Sequence, residues 1–295
     1  MCATCGCDDE ASVRVITLHG DGSRTMDTDH VQTHDHAQTH DHAQTHDHAH
    51  PHDHDHPHEP ALSASTAAER EIALEVAVLA KNDARAERNR GWLAGRGVVA
   101  LNVMSSPGSG KTTLLERTIR GAAVQFPIAV IEGDQETTFD AQRIRATGAA
   151  VVQVNTGAGC HLDADMVARG LTALDPAAGT VVVIENVGNL VCPALFDLGE
   201  ASRVVVMSVT EGADKPLKYP HMFRRADVVV LNKIDLLPYV DFDQDRFATA
   251  VAALRRDVQI IPCSATTGAG LDAWMSWLSA AVGRPESLTV PIDGA

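Results

Sequence analysis

Residues 105–113 read Ser105-Ser106-Pro107-Gly108-Ser109-Gly110-Lys111-Thr112-Thr113, directly after the apolar run 98–104. A glycine-rich turn that leaves a strand and opens a helix with Lys-Thr is a phosphate cradle. Gly108 and Gly110 let the backbone N–H groups of the turn, through Ser109, Lys111, Thr112 and Thr113, curl around a β-phosphate. Lys111 adds a point charge, and the Thr112 hydroxyl can ligate Mg(II). The N-terminus of the helix that follows contributes a favourable dipole. Against the pattern GxxxxGK[ST] there is one departure: Ser105 stands where the first glycine is expected.

Working outward from this turn, β-branched runs at 98–104, 127–132, 149–154, 180–184, 203–209, 227–232 and 258–261 alternate with helical patterns at 111–122, 140–147, 162–174, 242–256 and 271–282. Continuous apolar strands separated by helices predict an α/β fold, a mostly parallel sheet covered by helices on both faces. Ligands of such sheets lie beyond the carboxyl ends of the strands, and the remaining motifs of this region fall there.

Asn232-Lys233-Ile234-Asp235 follows the run 227–232 and matches NKxD. A carboxylate at Asp235 accepts from the ring N–H and the exocyclic amine of guanine, a pair of donors that adenine does not present. Ser264-Ala265, after the run 258–261, matches the loop whose backbone approaches the guanine carbonyl. The expected nucleotide is therefore GTP, with GDP as product. Glu132-Gly133-Asp134 and Glu185-Asn186-Val187-Gly188 end two further strands. They put Asp134 and Glu185 where Mg(II) belongs, and the N–H of Gly188 where it would sense a γ-phosphate. No side chain suited to positioning water follows Gly188, so slow intrinsic hydrolysis is expected.

The N-terminal region carries different chemistry. Cys2, Cys5 and Cys7 put three thiols on an open chain end, and residues 30–58 hold twelve histidines within six-residue repeats such as Thr-His-Asp-His-Ala-Gln at 33–38. Thiolate suits Cu(I), Zn or iron–sulfur clusters, and imidazole suits Zn, Cu and Ni. Three thiolates with one further ligand fit tetrahedral Zn(II) and square-planar Ni(II) equally. A polar repeat has no apolar face to bury, so the tract is expected to be disordered. Cys160-His161 and Cys192 form a second candidate set, on loops that emerge beside the nucleotide.

Of the net charge of −15, residues 1–60 supply −10, from twelve acidic and two basic side chains. The remainder is only mildly acidic, which argues against a nucleic-acid footprint and for attraction of divalent cations to the arm. No apolar run approaches the ~20 residues that cross a bilayer, and the N-terminus lacks a signal-peptide pattern. A cytoplasmic location is expected, with cysteines used as ligands or core residues rather than in disulfides.

A helix is expected from Ala67, where Thr66 and Glu69 match a capping box, to Gly95 and Gly97. Its stripe Ile72, Val76, Leu79, Ala86 and Leu93 reads as core packing. The resulting division is a cysteine head (1–10), a disordered linker (11–66) with the His-rich tract (27–60), the helix (67–97), a GTPase domain (98–283) and a tail (284–295).

Met-Cys-x-x-Cys-Gly-Cys at 1–7, Leu-Ala-Lys-Asn-Asp at 79–83, Ser-Ser-Pro-Gly-Ser-Gly-Lys-Thr at 105–112, Ile-Glu-Asn-Val-Gly-Asn-Leu-Val-Cys-Pro at 184–193 and Asp-Lys-Pro-Leu-Lys-Tyr-Pro at 214–220 resemble the HypB GTPase family. These are accessory proteins for nickel insertion into nickel–iron hydrogenase. The resemblance covers residues 1–7 and about 67–283. It implies a P-loop fold of the SIMIBI class, homodimerisation linked to GTP, a HypA-like accessory partner and the hydrogenase large-subunit precursor as recipient. It maps a high-affinity nickel site onto Cys2, Cys5 and Cys7, and a nickel or zinc site onto Cys160, His161 and Cys192. A nickel store built on the His tract, and the related urease-type nickel GTPase, are the alternative readings. The cysteine head and Val191-Cys192-Pro193 argue against the urease type.

Overall fold

The strand that feeds the phosphate turn is 0–6% exposed from Ala100 to Ser105, because both its faces are covered. In a computed structural model of the chain, which describes residues 14–18, 23–28, 67–122, 125–135, 138–157 and 159–283, it is β3 (Val99–Ser105). Around it run, in sheet order, β2 (Arg24–Thr28), β1 (Arg14–Leu18), β5 (Ala150–Asn155), β4 (Ile128–Asp134), β6 (Val181–Glu185), β3, β7 (Ser202–Ser208), β8 (Val228–Asn232) and β9 (Gln259–Pro262). The parallel strands are β3, β4, β5, β6, β7, β8 and β9. All seven expected strands are present within a residue or two of their sequence positions.

Alternation along β3 sorts the core. Leu101 and Val103 point into a layer with Leu114, Leu115 and Ile119 of α2 (Lys111–Ala122), Ile144 of α3 (Phe139–Arg145), and Trp274 and Leu278 of α8 (Leu271–Val282). Ala100 faces the opposite layer, where Leu93 of α1 (Ala67–Arg96) meets Val167 and Leu171 of α4 (Ala164–Leu174). Met104 points to the same side, against Met222 and Phe223 of α6 (Pro220–Arg224) and Phe247 of α7 (Gln244–Leu254); a short α5 (Lys215–Lys218) precedes them. Two-sided cover explains why these strands read as unbroken apolar runs.

Two expectations are corrected. Within the segment read as a disordered linker, residues 14–18 and 24–28 are strands β1 (Arg14–Leu18) and β2 (Arg24–Thr28), and β1 pairs antiparallel with β5 through Arg14–Asn155 to Thr17–Val152. Val15, Ile16 and Leu18 are buried, and it is the open edge of β5 that makes this short run a strand. In α1, Ala86 and Leu93 pack as expected, but Ile72 is 56% and Val76 62% exposed, because this end of the helix runs past the layer that covers its other half. Gly97, at φ 64°, closes the helix with its N–H on Ala94 O. The cysteine head, residues 29–60 of the His tract, Thr66 and the tail lie outside the described residues.

Candidate nucleotide and metal site

The phosphate turn has the geometry the motif demands. Gly108 and Gly110 sit at φ 74° and 92°, a region that favours glycine, and a Cβ on Gly110 would lie 2.5 Å from Asn232 Nδ2. Lys111 Nζ lies 3.4 Å from Glu185 Oε1, and the Thr112 hydroxyl donates to the same oxygen at 2.7 Å. Glu185 is 1% exposed and its other oxygen is without a partner, as is the buried Ser109 hydroxyl. Buried polar atoms left over in this way point to an absent ligand. A hydroxyl and a carboxylate beside a lysine fit Mg(II) and the phosphates it bridges.

Glu132 lies beside Glu185 in the parallel register of β4 and β6. Burial, then repulsion from Glu185, Asp134 and Asp140, pushes its carboxyl up to about 9, against a smaller pull from Lys111. Asp134, at the strand end, accepts the N–H of Gln135 at 2.7 Å and borders the same space.

The base motifs are tied to the turn by hydrogen bonds. Asn232 donates to Ser109 O at 2.9 Å and accepts from Ala265 N at 3.0 Å. Lys233, held at φ 63°, donates to Gly108 O at 2.6 Å. Asp235 Oδ1 is buried without a partner. The Ala265 N–H, expected to face the guanine carbonyl, is given to Asn232 in this structure. Ser264 shapes its loop by accepting from Thr267 N at 3.1 Å.

Cys160, His161 and Cys192 come together, with their ligand atoms all within 4.8 Å of one another. The two sulfurs are 3.0 Å apart, and His161 Nδ1 is 3.7 Å from Cys160 Sγ. Burial holds His161 below the usual histidine range, against an opposing pull from Asp163, so its ring stays neutral and available as a ligand. The donor set fits a borderline ion such as Ni(II) or Zn(II).

One segment joins the two centres. Glu185 touches Lys111 and Thr112, and Asn186, fully buried, accepts from Leu162 N at 3.1 Å. Gly188 lies so close to Pro107 that a Cβ would sit 3.2 Å from it. Asn189 donates to Cys160 O at 3.3 Å, and Cys192 closes the trio.

Sequence reasoning passed over several residues here. Glu211 accepts hydrogen bonds from the Ser106 hydroxyl and the Ser208 N–H, and Arg117 donates to Ala265 O and Thr266 O at 3.1 and 2.8 Å. Asn186 lies within the 184–193 motif, where spacing alone gives it no role. Glu211, just upstream of the 214–220 motif, carried a positional signal; Arg117 carried none.

Residues 99–262 match the model of the CobW/HypB/UreG nucleotide-binding domain. Over 209 residues the chain is 54% identical to the hydrogenase maturation factor HypB of Escherichia coli (strain K12), covering 71% of this chain and 72% of that one. The chain belongs to the HypB family. It is also similar to two solved structures. HypB from Helicobacter pylori in complex with nickel is 38% identical with a TM-score of 0.64, over 68% of this chain and 95% of that one. HypB from Archaeoglobus fulgidus is 40% identical with a TM-score of 0.65, over 69% and 100%. Family membership accords with the SIMIBI-class P-loop fold, in which helices flank a mostly parallel sheet. Among the described residues no helix is long and apolar enough to cross a membrane.

Proposed function

We propose that this chain is a GTP-hydrolysing nickel metallochaperone, which binds Ni(II) and delivers it to the large-subunit precursor of nickel–iron hydrogenase. The observation that carries the reading is the segment 185–192. It contacts the phosphate turn through Glu185 and Gly188 and ends in Cys192 of the ligand trio. A change at one end of so short a segment has a direct route to the other. The nickel-bound HypB of Helicobacter pylori supports the choice of cargo.

In this reading the N–H groups of Gly108 to Thr113 hold the phosphates, Lys111 balances their charge, and Asp235 selects guanine. Thr112, with Glu185 and Asp134, would hold Mg(II). Bound Mg(II) supplies the charge that steadies the transferred phosphoryl group. Glu185, which here contacts Lys111 and Thr112, would be a carboxylate ligand for that ion, and the N–H of Gly188 would face the γ-phosphate. With no obvious water-positioning side chain after Gly188, slow hydrolysis is expected, as suits a switch. Cys2, Cys5 and Cys7 form the high-affinity nickel site and the His tract adds capacity. Zinc is a second ion for the trio. A homodimer linked to GTP and metal state, a HypA-like partner and a cytoplasmic location complete the proposal.

The test is a nickel titration of the full chain carrying Cys2→Ser, Cys5→Ser and Cys7→Ser, loaded with GDP or a non-hydrolysable GTP analogue, following the thiolate-to-nickel absorption bands. The head thiols are then gone and the His tract has none. Cys263, fully buried and pushed up to about 12, stays a silent thiol. A difference in affinity of about 5–150-fold between the nucleotide states is expected. Equal affinities would reduce the trio to a static site.

A further inference from the structure

The Leu-Ala-Lys-Asn-Asp motif at 79–83 has no part in the site described so far, yet Asn82 is 7% exposed and Asn89, two turns on, 4%. Both belong to α1 and share one face of it. Asn82 accepts from Ala164 N at 2.9 Å and donates to Asp197 O at 2.8 Å. Asn89 donates to Ala164 O at 2.7 Å and to Leu198 O at 3.0 Å. Ala164 is the first residue of α4, three positions after His161. Asp197 and Leu198 lie five and six positions after Cys192. Each asparagine therefore bridges the two stretches of chain that carry the metal ligands.

The surroundings make the bridge stiff. Arg90 of α1 pairs with both carboxylate oxygens of Asp197 at 3.1 Å. Gly199, at φ 87°, is pressed so closely on α1 that a Cβ would lie 2.5 Å from Ala86 O. The His161 ring rests on Phe196, with centroids 4.0 Å apart, and Phe196 adjoins Asp197 in the chain. Buried side-chain amides that each hydrogen-bond to both stretches help to fix the distance between them.

We infer that Asn82 and Asn89 are positioning residues of the Cys160/His161/Cys192 centre, and that α1 sets the separation between Cys192 and the Cys160-His161 pair. The inference rests on the reading of that trio as a nickel site. It makes α1 a second element, besides the segment 185–192, able to tighten or open the ligand set. Outer residues that orient metal ligands typically change affinity 10–100-fold when removed.

The experiment uses the full chain with Cys2→Ser, Cys5→Ser and Cys7→Ser, under reducing conditions, titrated with Ni(II). Asn82→Ala and Asn89→Ala are compared with Asn82→Asp, which keeps the size and the acceptor for Ala164 N but loses the donor to Asp197 O. All three variants should bind nickel at least about tenfold more weakly at the thiolate site and shift its absorption bands, while GTP-analogue affinity stays within about twofold. Unchanged bands and affinity in the folded variants would overturn the inference. A parallel fall in nickel affinity, GTP-analogue affinity and helix content would also overturn it, by showing that the asparagines merely hold the fold. Absence of thiolate–nickel bands in the parent protein would instead remove the nickel-site reading itself.

Discussion

The nucleotide cradle and the metal corner stand at opposite ends of residues 185–192, and they are assembled differently. Most of the cradle is one contiguous turn, 105–113, whose glycines sit in conformations set by local sequence. Its buried acceptors wait without partners at Ser109, Glu185 and Asp235. The corner takes Cys160 and His161 from one loop and Cys192 from another 32 positions away. Four asparagines hold those loops in place: Asn82 and Asn89 from α1, and Asn186 and Asn189 from the joining segment. A site made mostly within one turn depends less on the movement of its neighbours. A site made between two loops changes its ligand spacing when either loop moves. The first arrangement suits constant recognition of a nucleotide, the second a hold that can be released.

The comparison can be broken first at the seam between the two regions, where Glu132 lies two residues before the end of β4 and the next residue, Gly133, packs under Leu162 of the metal loop. In protein free of nucleotide and Mg(II), the Glu132 carboxyl titrates near 9 rather than 4.5. A group raised on folding contributes stability below its unfolded value and loses it as pH rises through its folded value. Glu132→Gln removes this loss. The variant should gain on the parent by up to ~1.4 kcal/mol per pH unit within that window, on the order of 4 kcal/mol by about pH 8. Urea denaturation across pH would read it, and parallel stability curves would mean that Glu132 is already ionised.

Within the cradle, Asp235→Asn turns an acceptor into a donor. GTP should weaken by ~2–4 kcal/mol and xanthosine triphosphate should gain, with nickel at the corner unaffected. Calorimetric titration of both nucleotides decides it; undiminished GTP affinity would remove Asp235 from the base site.

The smallest effect sharpens the same contrast inside α1. Its later half clamps the corner, whereas Ile72 and Val76 face solvent. Ile72→Ser with Val76→Ser should change stability by no more than about 0.5 kcal/mol per site. A loss of several kcal/mol in thermal unfolding would mean that this end of the helix is covered in solution.

Much of this molecule was legible in its residues alone, because the physics there is local. Phosphate chemistry needs Gly108, Gly110, Lys111 and Thr112 in one turn. The guanine selection proposed for Asp235 would likewise need it three positions after Asn232, and strands covered on both faces declare themselves as unbroken apolar runs. Burial and partnership between distant stretches were decided by tertiary structure. Arg14–Leu18 is a strand because β5 offers it an open edge, and Ile72 is exposed because the covering layer stops short of it. The Glu132 carboxyl is pushed up because it is buried and because Glu185 lies beside it where two strands meet in register. Asn82, an ordinary polar residue in a helical pattern, became a strut only when Ala164 and Asp197, 82 and 115 positions from it, reached its two ends. Spacing along a chain sets what a turn can bind, whereas the cost of leaving a buried polar group unpaired sets which distant segments must meet.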